Sequence, residues 1–145
     1  MRRELVGYLL KQIADKIKAS ADASLKSKAL TLSQMRVLEL ASYHAEGITQ
    51  KAIEEHFQVS HPTIVGIITR MEKNGYLECW MDPEDKRNKM VRLTPEAWPL
   101  AVEMRQEIEM QERRLLEGLS EEQIDGLYKA LYRILENVSK KDDTA

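Results

Sequence analysis

Hydrophobic and polar positions follow two rhythms along this chain, and the points where the rhythm changes mark its elements. Val6, Leu10, Ile13 and Ile17 recur at helical spacing while Leu5, Tyr8 and Leu9 widen the stripe, which predicts a first helix over residues 5–23. So broad an apolar face must be covered, either by ordinary core packing or by a second subunit; matching apolar material near the C-terminus makes an intersubunit helix the expectation. A polar bridge over residues 24–29 follows. Thr31 with Gln34 has the form of a capping box, and Met35, Val37, Leu38 and Ala41 carry a second helix to about His44, closed by Glu46-Gly47. Ile48 can pair briefly as a strand.

Thr49 caps a short helix to Phe57, with Ala52, Ile53 and Phe57 inward, and Gln58-Val59 makes a tight turn. Ser60 caps the next helix, and Pro62 sits in its first turn, where a missing N–H costs no helical bond. Ile64, Ile67, Ile68 and Met71 fall at i, i+3, i+4 and i+7, a single buried face. After Asn74-Gly75 the rhythm shortens to two: Leu77, Cys79 and Met81 share one face of a strand, and Val91 and Leu93 point inward from another. The polar stretch between them, residues 82–88, contains Pro83 and is a loop. Thr94-Pro95-Glu96 starts a long helix carrying Ala97, Ala101, Met104, Ile108 and Leu115 to about Gly118. Ser120 with Gln123 opens a last helix bearing Ile124, Leu127, Leu131, Ile134 and Val138, with a frayed tail from Lys140.

The order of these elements is that of a winged helix-turn-helix: a mainly α fold with a small β-hairpin wing. Residues 31–94 form the core, and residues 1–24 and 95–139 form a helical dimerisation region within a single domain over 1–145. The flanking helices bring far more chain than a bare DNA-reading head needs, and a homodimer that lends them to a shared platform explains them economically.

Composition narrows the functional classes. At 145 residues, 43% hydrophobic and 32% charged, with six glycines and four prolines, the chain suits one globular, helix-rich domain. No apolar run approaches the roughly 18 residues that span a bilayer, so no membrane partner is expected. The start, Met1-Arg2-Arg3-Glu4, leads into a segment with Lys11, Asp15 and Lys16 rather than a signal core. A lone Cys79 forbids an internal disulfide and fits a reducing cytoplasm. His44, His56 and His61 are scattered without ligand spacing, so neither a metal nor another cofactor is expected. An enzyme is not expected either, for want of a nucleophile with its base or a Gly-rich phosphate loop.

The formal net charge of −2 looks unsuited to a nucleic-acid binder, yet binding depends on which face is positive. Over residues 61–94, Arg70, Lys73, Lys86, Arg87, Lys89 and Arg92 slightly outnumber Glu72, Glu78, Asp82, Glu84 and Asp85. The N-terminal residues of a recognition helix reach base edges, which selects Ser60, His61 and Thr63 as hydrogen-bonding groups and Pro62 as an apolar contact for a thymine methyl. Gly66 and Arg70 lie further along, Arg70 suited to phosphate. In the loop, Arg87 suits a narrow minor groove, and Lys86 and Lys89 suit the backbone. Asp85 is repelled by phosphate unless it turns inward to a backbone N–H or an arginine, so its expected role is to orient the wing. Met35, Tyr43, His44 and Trp98 are the candidates for an effector pocket. Cys79 faces inward and is expected to be inert. The alternative is a winged-helix protein-interaction module without DNA binding.

The run from Asp82 to Arg87, the following Val91-Arg92-Leu93-Thr94, and the preceding Pro62-Thr63 and Met71 to Leu77 resemble the multiple-antibiotic-resistance regulator (MarR) family. That resemblance implies a homodimeric transcription factor, most often a repressor, on a pseudo-palindromic site in double-stranded DNA. It also implies release by a small aromatic or phenolic ligand or by an oxidant. Ser60 to Asn74 then enters the major groove, Arg87 the minor groove, and Asp85 orients the wing. Val65 and Gly66 stand where many relatives carry a hydroxyl residue and a basic one.

Overall fold

The computed structural model describes residues 3–142. The chain divides into two compact units, one ending at Gln106 and the other beginning at Glu107. The first contains α1 (Val6–Leu25), a 3₁₀ turn (Lys26–Lys28), α2 (Leu32–Ala41), β1 (Ile48–Thr49), α3 (Gln50–Phe57), α4 (His61–Lys73), β2 (Leu77–Met81) and β3 (Lys89–Leu93). A second 3₁₀ turn, Pro95–Ala97, then leads into α5 (Trp98–Leu115), which runs across the division, and α6 (Glu121–Asp142) follows.

Local chemistry sets most of the helix starts. At α2, the Thr31 hydroxyl accepts from the Gln34 N–H and the Gln34 side chain accepts from the Thr31 N–H, a complete capping box. Thr49 caps α3 by accepting from the Ala52 N–H at 3.1 Å, and Ser60 caps α4 by accepting from Thr63. Gln58 turns the chain between α3 and α4 with a left-handed φ of 53°, its side chain donating to the Glu55 carbonyl at 2.6 Å. The second helix ends at Ala41, earlier than the expected His44, because Ser42 caps it and its hydroxyl donates to the Glu39 carbonyl. Thr94 is the expected N-cap, accepting from the Ala97 N–H with Pro95 next to it, but the turn it caps is 3₁₀, so the α-helix proper begins at Trp98. The same hydroxyl donates to the Gly75 carbonyl at 2.7 Å, fastening the far end of the hairpin to the end of α4.

The sheet has the order β1-β3-β2 and is antiparallel throughout. Ile48 pairs with Val91, and Leu77, Cys79 and Met81 pair with Leu93, Val91 and Lys89. The expected inward faces hold at Val91 and Leu93 but not at Met81, which is 51% exposed at the outer end of its strand. Ile64, Ile68 and Met71 of α4 are buried, as are Met35, Leu38, Ile53, Leu77, Ala101 and Met104 in the same unit. Burial of one α4 face supplies the main hold on that helix, on the order of 1.5–3 kcal/mol for each large apolar side chain. Of α1, only Ala21 and Leu25 are buried; Leu5, Val6 and Tyr8 are about 60% exposed.

The second unit comprises the end of α5 and all of α6. Gly118, at φ +85°, turns between them, and Ser120 and Gln123 form the expected capping box. The Tyr128 hydroxyl donates to Glu112 at 3.0 Å, and the Tyr128 and Tyr132 rings stack at 6.4 Å. Leu127, Leu131, Leu135 and Val138 of α6 are exposed. The helix runs on past Lys140 to Asp142, where a frayed tail was expected, and residues 143–145 lie outside the described residues. No described helix is long and apolar enough to cross a membrane.

Candidate nucleic-acid interface

The N-terminus of α4 is built by its cap. Ser60 is extended, its hydroxyl accepts from the Thr63 N–H at 3.4 Å, and the two hydroxyls lie 2.8 Å apart. His61, Pro62 and Thr63 form the first turn and are all exposed. The uncapped N–H groups and the positive end of the helix dipole therefore face outward, an arrangement suited to an anion. Gly66 is half-buried one turn further on. The Nε–H of Arg70 donates back to the Gly66 carbonyl at 3.1 Å, which lays the guanidinium along its own helix rather than forward.

The wing tip is held by its own backbone and by two aspartates. Asp82 accepts from the Glu84 N–H at 3.0 Å, and the Asn88 carbonyl accepts from the Asp82 N–H at 3.0 Å. Asp85 accepts from the backbone N–H and the Nε–H of Arg87, both at 3.1 Å, and from the Asn88 amide at 3.4 Å. The Arg87 contact holds the Asp85 carboxyl below the usual aspartate range. Arg87 remains 91% exposed despite this tie, so its terminal nitrogens face solvent. Lys86 is also exposed, while Lys89 is half-buried at the start of β3.

The structure brings three of the expected residues together. His61, Arg87 and Lys89, with Asn88, border an open cleft of about 280 Å³ whose remaining wall is Gln50, Lys51 and Glu54 of α3. Ser60, Pro62, Thr63, Gly66, Arg70 and Lys86 lie outside it, along α4 and at the loop surface. Sequence reasoning did not select the three α3 residues. Their polar spacing at i, i+1 and i+4 was visible, but their meeting with the wing depends on long-range contacts. Glu54 holds His61: its Oε1 lies 2.6 Å from the imidazole Nδ1.

The expected effector-pocket residues differ in exposure. Met35 is 1% exposed in the core, Tyr43 and His44 are exposed, and Trp98 is half-buried. The Arg105 guanidinium stands over the Tyr43 ring at 5.1 Å. A smaller cavity of about 90 Å³ lies between α2 and α4, lined by Arg36, Val37, Phe57, Val59, Ile64 and Ile67 among others. Among the described residues no group of three or more His, Cys, Asp or Glu is placed to hold a metal ion. Burial and a hydrogen bond with Glu72 push the Cys79 thiol up to about 12, so it stays protonated at neutral pH.

Residues 30–89 match the model of the MarR family. An uncharacterized HTH-type transcriptional regulator of Bacillus subtilis strain 168, YfiV, is 30% identical over 115 residues, spanning 77% of this chain and 71% of that relative. The crystal structure of S. aureus MepR in its DNA-binding conformation is similar, with a TM-score of 0.86 at 25% identity over 93% of this chain and 99% of the other. A MarR transcription regulator of Oenococcus oeni PSU-1 reaches 0.82 at 26% identity, covering 91% and 99%.

Proposed function

This chain belongs to the MarR family, and from that premise we propose that it is a homodimeric, sequence-specific DNA-binding transcriptional regulator. In this proposal it represses from a pseudo-palindromic operator and is released by a small aromatic or phenolic effector. The observation that carries the proposal is the convergence of the α4 N-terminus and the wing on one cleft, with His61, Arg87 and Lys89 on its border. A helix end and a basic loop so disposed suit a major groove and the adjoining minor groove. The likeness to MepR in its DNA-binding conformation supports the same placement.

Ser60, His61 and Thr63 face base edges and nearby phosphates, and Pro62 supplies an apolar contact. Arg70, lying along α4, serves phosphate, and Gly66 lets the backbone come close. Arg87 enters the minor groove while Lys86 and Lys89 neutralise phosphate, each contact adding about 0.9 to the salt slope. Asp85 keeps Arg87 in place.

Exposed apolar residues on α1, and a separate exposed set on α6, support the dimer, because broad apolar helix faces need to be covered. Two heads reading one DNA face must sit about 34 Å apart or at a multiple of it. An effector that binds better to another head spacing lowers DNA affinity by that difference alone.

The test is selection from a random-sequence duplex library, followed by salt titration of the chosen sites with the native protein and an Arg87→Ala variant. An inverted repeat bound less well by the variant is the expected result. No enrichment at any salt concentration overturns the proposal and favours a protein partner.

A further inference from the structure

We propose that Glu54 is a positioning residue for base recognition: it holds the proton of the His61 imidazole on Nδ1 and so turns Nε2 outward as an acceptor for an exocyclic amine. This rests on the DNA-binding function proposed above and assigns one base-reading position within it. The class of base selected is adenine or cytosine.

The geometry begins with the 2.6 Å contact between His61 Nδ1 and Glu54 Oε1. A carboxylate has no proton to donate, so Nδ1 must carry the hydrogen. In the neutral ring Nε2 is then an acceptor, because the second nitrogen's role follows from the first. The two side chains are unequally placed: Glu54 is 18% exposed and His61 is 68% exposed. The carboxylate is the fixed partner, and the imidazole is the one presented. Glu54 is itself steadied from within α3, since the amide of Gln50, 8% exposed, donates to the same Oε1 at 3.4 Å.

His61 is the first residue of α4, the part of a recognition helix that meets base edges. In the major groove the donors are the N4 amine of cytosine and the N6 amine of adenine, whereas guanine and thymine offer acceptors there. An acceptor at Nε2 therefore matches adenine or cytosine and repels the others. Lys51 from α3 and Lys89 from the wing border the same cleft and suit the phosphates flanking that base, beside the Arg87 assigned above to the minor groove.

The experiment is duplex selection at about pH 8.5, above the range in which histidines ordinarily change charge, with the native protein, His61→Ala and Glu54→Gln. Glutamine keeps the size of the side chain and an acceptor for Gln50, but its amide can also donate to Nδ1 and so permits the other tautomer. The native protein is expected to select adenine or cytosine at one position of each half-site, with guanine or thymine there weakening binding roughly tenfold or more. His61→Ala loses that preference and no other. Glu54→Gln retains the inverted repeat yet accepts all four bases at that position. Identical preferences for the native protein and Glu54→Gln overturn the role of Glu54, and an unchanged profile for His61→Ala overturns that of His61. Native protein that enriches no sequence overturns the DNA-binding proposal itself. A second measurement needs no variant: the long-range ¹H–¹⁵N spectrum of the native protein should show the His61 ring protonated on Nδ1, and a ring protonated on Nε2 overturns the inference.

Discussion

Asp85 accepts two hydrogen bonds from one residue, the backbone N–H and the Nε–H of Arg87, each at 3.1 Å. The pairing closes the wing tip and aims an arginine that is otherwise almost wholly in solvent. Because Arg87 lowers the Asp85 carboxyl from its ordinary value, the tie is complete above the unfolded aspartate range of about 4 and is lost only as pH falls through the lowered folded value. Arg87 amide and Nε shifts followed by NMR should titrate with a midpoint below that of an aspartate in a short peptide. A midpoint at or above the peptide's value counts against the pairing.

The same pairing has a consequence for DNA. Asp85→Asn should weaken operator binding about two- to tenfold, the cost of ordering one long side chain on binding rather than beforehand. Thermal stability should hardly change, since exposed ion pairs contribute little. Fluorescence anisotropy on the selected site measures the first and a melting curve the second; unchanged affinity removes Asp85 from the wing's function.

Two glycines should respond oppositely to alanine. Gly47 has φ +115°, and a Cβ there falls 2.8 Å from the Trp80 ring. Gly47→Ala should therefore destabilise by about 1–3 kcal/mol. Gly66 lies inside α4, and a Cβ there meets only an Arg70 terminal nitrogen at 3.7 Å. Gly66→Ala should stabilise by roughly 0.5–1 kcal/mol through helix propensity. Urea denaturation of both variants, with the two shifts compared in sign, is sufficient.

Cys79 should resist alkylation at neutral pH in the folded protein and react readily once unfolded. Its thiol is raised from 9.0 to about 12, so its favourable contribution to folding is complete below the unfolded value and drains away as pH rises between the two. Iodoacetamide labelling followed by mass spectrometry reads the contrast. Rapid labelling of native protein at pH 7 is the contrary result.

Leu9 of α1 is 48% exposed in the chain. Leu9→Glu should leave the helical circular dichroism intact while shifting sedimentation from dimer to monomer, because a charge buried at an interface without a partner costs several kcal/mol. A variant that remains dimeric excludes this part of α1 from the interface.

Much of the fold was legible beforehand because its signals are local. The capping pairs Thr31–Gln34 and Ser120–Gln123, the hydroxyl caps at Thr49 and Ser60, and the i, i+3, i+4, i+7 face of α4 each act within a turn or two of chain. The inward turn of Asp85 was legible for the same reason, its partner being two residues away. The exceptions are also local. Gln58 takes a left-handed turn without being glycine, and Thr94 closes a 3₁₀ turn before α5 begins.

What only the tertiary structure decided lies between elements distant in sequence. The sequence by itself determined that Ser60 to Thr63 would open a helix and that Arg87 would stand in a charged loop. Only folding brought Gln50, Lys51 and Glu54 to the same cleft as Arg87 and Lys89, buried Met35 while leaving Tyr43 exposed, and set Glu54 against His61. The physical reason is that periodicity and capping record which side of an element turns inward, whereas the partner it meets depends on the packing of the whole core.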